Sequence, residues 1–204
     1  MRICFVHIPK CGGTSIRQAL LHAGYYSGEH GHRTDLQHKR LDTLCSFQTY
    51  ITQVRNPYER AVSQFNFMHR QYHTMDGFVK KEIYDRHIHL ELNEWIKLLV
   101  DDGEEKFIKG EPGVVGLQHP RYCLKPQHWW VGFEHTKIFK IEDQNIWNFF
   151  YENGMDVQRF HSRRSWPVDT NPVLKTRDDL TRESIDIINS RYKEDFRRFD
   201  YEQI

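Results

Sequence analysis

Short apolar runs alternate along this chain with stretches whose apolar residues recur at helical spacing, a succession that predicts strands and helices in turn. Ile3, Cys4, Phe5, Val6 and Ile8 form a run suited to a strand buried on both faces of a parallel sheet. Behind it, Ile16, Ala19, Leu20 and Ala23 fall at i, i+3, i+4 and i+7, one apolar helix stripe, and Gly24 stands where a left-handed C-cap belongs. Tyr50, Ile51, Thr52, Gln53 and Val54 predict a second strand. Asn56 then suits a helix cap and Pro57 its first position, with Tyr58, Ala61, Phe65, Met68 and Tyr72 as the buried stripe. Farther on, Leu92, Trp95, Ile96 and Leu99 predict a helix ended by Gly103, and residues 138–141 a strand. Ile146, Phe149 and Phe150 predict a helix closed by Gly154. Ile185, Ile188, Tyr192, Phe196 and Phe199 predict one long terminal helix capped by Thr181.

The loop joining the first strand to the first helix carries the chemistry. It reads Pro9-Lys10-Cys11-Gly12-Gly13-Thr14-Ser15. Two glycines let backbone N–H groups approach an anion without side-chain obstruction, and the new helix aims its unpaired amides and positive dipole end at the same point. Lys10 adds a mobile positive charge. A nucleoside-triphosphate loop would place its lysine after the glycines, whereas here it precedes them. The second strand likewise runs into Arg55-Asn56-Pro57 and not into an acidic residue that could hold Mg²⁺. Arg55, at the end of a parallel strand, and Ser63, on the following helix, could hold a second phosphate through a guanidinium fork and a hydroxyl. The alternative for Arg55 is a carboxylate partner, and for Ser63 an ordinary place on the helix surface. Taken together, the two segments suit a ligand with two separated anionic groups.

Both segments resemble the cofactor signatures of sulfotransferases that use 3′-phosphoadenosine 5′-phosphosulfate (PAPS). Residues 9–15 resemble the 5′-phosphosulfate loop, and the run Arg55-Asn56-Pro57-Tyr58-Glu59-Arg60-Ala61-Val62-Ser63 resembles the 3′-phosphate motif. Within that family the chain is most similar to carbohydrate sulfotransferases of the heparan sulfate 2-O type, because His30-Gly31-His32 lies between the motifs where that group carries its catalytic histidines. Val131-Gly132-Phe133 with Ile138-Phe139-Lys140-Ile141-Glu142 resembles the family's late strand, and Tyr192-Lys193-Glu194-Asp195-Phe196 its terminal helix. The resemblance implies an α/β three-layer sandwich with a central parallel sheet, and transfer of a sulfuryl group from PAPS to an acceptor hydroxyl, that of a glycan. It implies cofactor contacts from Lys10, Cys11, Gly12, Gly13, Thr14, Ser15, Arg55 and Ser63. Cys11 departs from the threonine often found there, which removes a side-chain hydrogen bond but spares the backbone contacts.

Sulfuryl transfer needs positive charge on the departing phosphate oxygen and a base for the acceptor's proton. Lys10 fits the first role. An imidazole, with an ordinary pKa of about 6.5, fits the second. Of 13 histidines, His32 is expected to be the base and His30 to orient the acceptor or assist, with a plain polar turn as the alternative for this segment. No metal is expected: His30 and His32 with His38 or His7 are the alternative as a zinc site, but Cys4, Cys11, Cys45 and Cys123 show no paired spacing, and no His-Glu-x-x-His helix is present. Cys11, at a helix N-terminus beside Lys10, has the setting of a reactive thiol. Trp129 and Trp130 read as core packing, with stacking on a sugar or adenine as the rival reading. Two rival functions stand beside transfer: a nucleotide-dependent kinase, and a catalytically silent module that binds nucleotide or glycan.

Composition sets outer bounds. A length of 204 residues suits a single domain. Lys and Arg number 29 against 28 Asp and Glu, a net charge of +1, so no global field recruits nucleic acid. Met1 and Arg2 precede the first strand directly, and no apolar stretch approaches the roughly 20 residues of a membrane span. A soluble cytoplasmic protein is the expectation.

Overall fold

Ile3–Val6 form strand β1, with every residue 3% exposed or less. The computed structural model describes residues 3–25, 49–71, 89–97, 125–132, 134–159 and 174–204. They divide into two compact units, each drawn from two stretches of chain: Met1–Arg55 with Gln127–Ser165, and Asn56–Pro126 with Trp166–Ile204.

In the first unit, β1, β2 (Thr49–Val54) and β3 (Lys137–Lys140) form a parallel sheet in the order β1-β2-β3. The helices α1 (Gly13–His22) and α4 (Asn145–Glu152) belong to the same unit. Strand alternation sends Ile3, Phe5 and Ile51 to one face, where they join Ile16 and Leu20 of α1 and Ile146, Phe149 and Phe150 of α4 in one core. Cys4, Val6 and Tyr50 are buried on the other face. Each fully buried Ile, Leu or Phe contributes about 1.5–3 kcal/mol, enough to fix this register against a one-residue slip. Gly24 and Gly154 follow α1 and α4 at φ 73° and 69°, the left-handed helix ends their positions predict.

β2 outruns β1. Val6 stands opposite Thr52, whose Oγ1 donates to the Val6 carbonyl at 2.8 Å, so Gln53 and Val54 extend past the end of β1. On the other side Ile141 N–H donates to the Val54 carbonyl at 2.9 Å. The two chain exits, toward Lys10 and toward Arg55, therefore leave from one edge of the sheet.

The second unit is helical among the described residues. α2 (Pro57–Gln71) begins where Asn56 Oδ1 accepts from Tyr58 N–H at 3.0 Å, the expected cap. Tyr58, Ala61, Val62 and Phe65 of α2 pack with Leu92, Trp95 and Ile96 of α3 (Leu92–Lys97), and with Ile188, Tyr192 and Phe196. Tyr72, Leu99, Gly103 and the side chain of Met68 lie outside the described residues. Thr181 caps α5 (Arg182–Arg191) by accepting from Ser184 N–H, and Asn93 Oδ1 accepts from Thr181 N–H and Ser184 Oγ.

The single long terminal helix is corrected to two. Tyr192, at φ −110° and ψ 22°, separates α5 from α6 (Lys193–Arg198). Its N–H still donates to the Ile188 carbonyl and its carbonyl accepts from Phe196 N–H. The apolar stripe runs through unbroken because both segments bury it in one core.

Candidate functional site

At the exit of β1 the chain turns sharply, Cys11 N–H reaching back to the Ile8 carbonyl at 3.4 Å. Lys10 and Gly12 both adopt left-handed backbone, at φ 66° and 74°. Glycine does so freely, but in lysine the conformation costs of order 1–2 kcal/mol. Such alternation turns successive N–H groups toward one concavity, the geometry of an anion nest. Ser15 N–H bonds to the Gly12 carbonyl, while among the described residues the amides of Gly12, Gly13 and Thr14 find no acceptor. Gly12 stands as the helix N-cap with no side-chain cap, and no acidic residue occupies the first turn of α1. Three open amides at a helix start, without a carboxylate, suit a doubly charged anion.

The glycines are needed for space as well. A Cβ on Gly13 would stand 2.1 Å from His7 Cδ2 and 2.5 Å from Nε2. The His7 ring cannot retreat cheaply, since it stacks on buried Phe5 with centroids 5.8 Å apart. A Cβ on Gly12 would meet Ile141 Cδ1 at 2.7 Å. Gly13→Ala is expected to cost about 1–3 kcal/mol through overpacking. The check is the melting temperature, which should fall by several degrees; an unchanged melting curve would mean that His7 does not hold the loop.

Arg55 follows β2 at the same sheet edge and is half-buried. Its backbone is clamped by Gln127, a residue with no exposed surface that opens a short 3-10 helix, Gln127–Trp130. Gln127 Oε1 accepts from Arg55 N–H at 2.8 Å, and Nε2 donates to the Arg55 carbonyl at 2.8 Å. The same Oε1 accepts from Cys11 Sγ at 3.1 Å. Lys10 and Arg55, on which the two-anion reading depends, thus leave one edge, and one carboxamide ties Arg55 to Cys11, the residue after Lys10. Sequence reasoning missed Gln127. It lies 72 residues from Arg55 and 116 from Cys11, and no local pattern marks it.

Other sequence-predicted residues fall in varied places. Cys11 is 1% exposed with its thiol directed to Gln127, so its burial replaces the expected reactive setting. Thr14 is exposed and Ser15 half-buried in the first turn of α1. Ser63 is half-buried on α2, in the second unit. In that unit, Arg60 is buried and its Nη1 donates to the Lys125 carbonyl at 2.9 Å. Burial pushes the Tyr192 hydroxyl up to about 12, with Arg60 pulling in the opposite direction. Trp130 is fully buried, as core packing requires, whereas Trp129 is 38% exposed. His30, His32, His38, Cys45, Cys123 and Phe133 lie outside the described residues. No described helix is long and apolar enough to cross a membrane.

No curated protein and no solved structure matches the chain. The model of one family does, that described as the sulfotransferase family, over residues 1–202. With the match spanning nearly the whole length, and a strand, glycine-bearing loop and helix at its start, the chain belongs to the sulfotransferase family.

Proposed function

We propose that this sulfotransferase uses PAPS to sulfate a hydroxyl of a carbohydrate, through one domain and without a metal ion. The observation that carries the reading is the pairing, on one sheet edge, of Arg55 with a helix start beside Lys10 where the amides of Gly12, Gly13 and Thr14 meet no acceptor among the described residues. The residues there fit such a group: a glycine-lined concavity, a helix start without acidic side chains, and two cations on neighbouring chain exits. When bound, PAPS supplies an activated sulfuryl group on a stable leaving phosphate.

Each residue then has a role. The amides of Gly12, Gly13 and Thr14, with the Thr14 and Ser15 hydroxyls, hold the 5′ phosphosulfate, and Lys10 sets its ammonium at the oxygen where charge develops. Cys11 serves through backbone placement, its sulfur being turned to Gln127. Arg55 takes the 3′-phosphate by a charge-assisted fork, with the Ser63 hydroxyl as second donor. His32 receives the acceptor's proton and His30 orients the acceptor, roles drawn from the resemblance to heparan sulfate 2-O sulfotransferases.

The test is transfer from labelled PAPS to a panel of sugars, glycolipids, tyrosine peptides and small alcohols, with and without chelator. Sulfated sugar and adenosine 3′,5′-bisphosphate should form equally in both. A requirement for Mg²⁺ with transfer from ATP would establish the kinase reading instead. A melting temperature raised by adenosine 3′,5′-bisphosphate without product from any acceptor would leave a binding module. Product confined to other hydroxyls would remove the carbohydrate from the proposal.

A further inference from the structure

We infer that Gln127 is a positioning residue that couples the two anion sites, holding Arg55 at the 3′-phosphate in register with the 5′ loop. The inference rests on the PAPS reading above and adds a residue that neither cofactor motif contains.

Val54 turns its carbonyl toward β3, where Ile141 N–H meets it. By strand alternation the N–H and C=O of Arg55 face the opposite side, toward β1. But β1 has already ended at Val6 and the chain has bent into the loop, so the next rung of the sheet has no strand to complete it. Gln127 supplies that rung. Its carboxamide presents one acceptor and one donor to Arg55, as a peptide group would, at 2.8 Å each. The bonding fixes the amide's orientation, since a flipped carboxamide would set donor against donor.

The third bond gives the residue more than a structural part. Oε1 has two lone pairs; one takes Arg55 N–H and the other takes the Cys11 thiol from the middle of the anion loop. A shift of the loop is therefore felt at Arg55 through a single buried oxygen, and the separation of the two sites is set by a side chain rather than by sheet pairing. Cys11 and Gln127 are buried, so the bond between them forms where water does not compete, while the bonds to half-buried Arg55 are partly screened.

Such a role predicts a selective defect. A residue that merely stabilises the fold would, when lost, weaken every nucleotide alike in the folded protein. One that positions Arg55 should cost the 3′-phosphate contact alone. The experiment measures affinity for adenosine 3′,5′-bisphosphate and for adenosine 5′-monophosphate, which lacks the 3′-phosphate, by calorimetry on parent, Gln127→Met, Cys11→Ala, Cys11→Ser and Arg55→Ala proteins. In Gln127→Met the preference for the bisphosphate should fall about tenfold or more, approaching that of Arg55→Ala. In Cys11→Ala it should fall by a smaller factor, and in Cys11→Ser, which keeps a donor, it should match the parent.

A folded Gln127→Met protein with the parent's preference overturns the inference. Should that variant fail to fold, an unchanged preference in Cys11→Ala does the same. Parent protein that binds neither nucleotide overturns the PAPS reading and this inference with it, an outcome visible before any variant is made.

Discussion

Replacing Lys10 by glycine is expected to lower sulfuryl transfer about 10²–10³-fold, the usual loss when one preorganised group facing the developing charge is removed, while the melting temperature stays level or rises. The two effects separate because the backbone and the side chain of this residue pull in opposite directions. At φ 66° Lys10 holds a conformation that L side chains adopt at a cost. Glycine adopts it freely, and its larger entropy in the unfolded chain offsets part of the gain. Strain of this kind persists where surrounding structure over-determines it, and such places cluster at functional sites. Here the Cys11 turn on one side and the Gly12 N-cap on the other fix the backbone. The measurement pairs turnover with a melting curve for Lys10→Gly and Lys10→Ala. Turnover within a few fold of the parent would remove Lys10 from the chemistry, and activity lost together with stability would trace the defect to folding.

Much of the arrangement around Lys10 was legible in the sequence because it is local. A strand buried on both faces, a helix stripe, a glycine at a helix end and an asparagine before a proline each act over a few residues, and each stands where its pattern placed it. The turn at residues 8–13 was legible for the same reason: the glycine spacing describes a turn that the chain makes with its own neighbours. Among the described residues no acceptor meets the amides of Gly12, Gly13 and Thr14, which are neighbours in sequence.

What was not legible depends on partners far along the chain. Gln127 completes a rung of sheet only because β1 stops two residues short of β2, a fact of register rather than of composition. The need for glycine at position 13 was attributed to anion approach, yet the nearest atoms are those of His7, brought there by the return of the loop over its own strand. The break at Tyr192 escaped notice because helical spacing survives it: both halves bury the same stripe, so periodicity does not register the change in dihedral angles. Cys11 was read from charge, as a thiol beside a lysine, whereas burial decides its character. Local signals are silent about what an element meets, and at Tyr192 the spacing was wrong about the element as well, one helix being two.

The proton must also go somewhere, and for it the expected result is the largest: His32→Ala should lower turnover about 10²–10⁴-fold, the range for loss of a positioned general base. Affinity for adenosine 3′,5′-bisphosphate should be unchanged, since the cofactor contacts are assigned to residues 10–15, Arg55 and Ser63. The pH profile supplies a second reading. A base works in its neutral form, so parent turnover should fall as acidification protonates the imidazole. Residual activity in His32→Ala should lack that acid limb. His30→Ala should keep the limb and lose less, as a residue that orients the acceptor. The competing imidazole at the described site is His7, whose ring packs against Gly13 and stacks on Phe5; a side chain so used holds the loop rather than approaching a mobile hydroxyl. If His32→Ala turns over near the parent rate with nucleotide binding intact, or keeps its acid limb while His7→Asn loses it, the base has been assigned to the wrong imidazole.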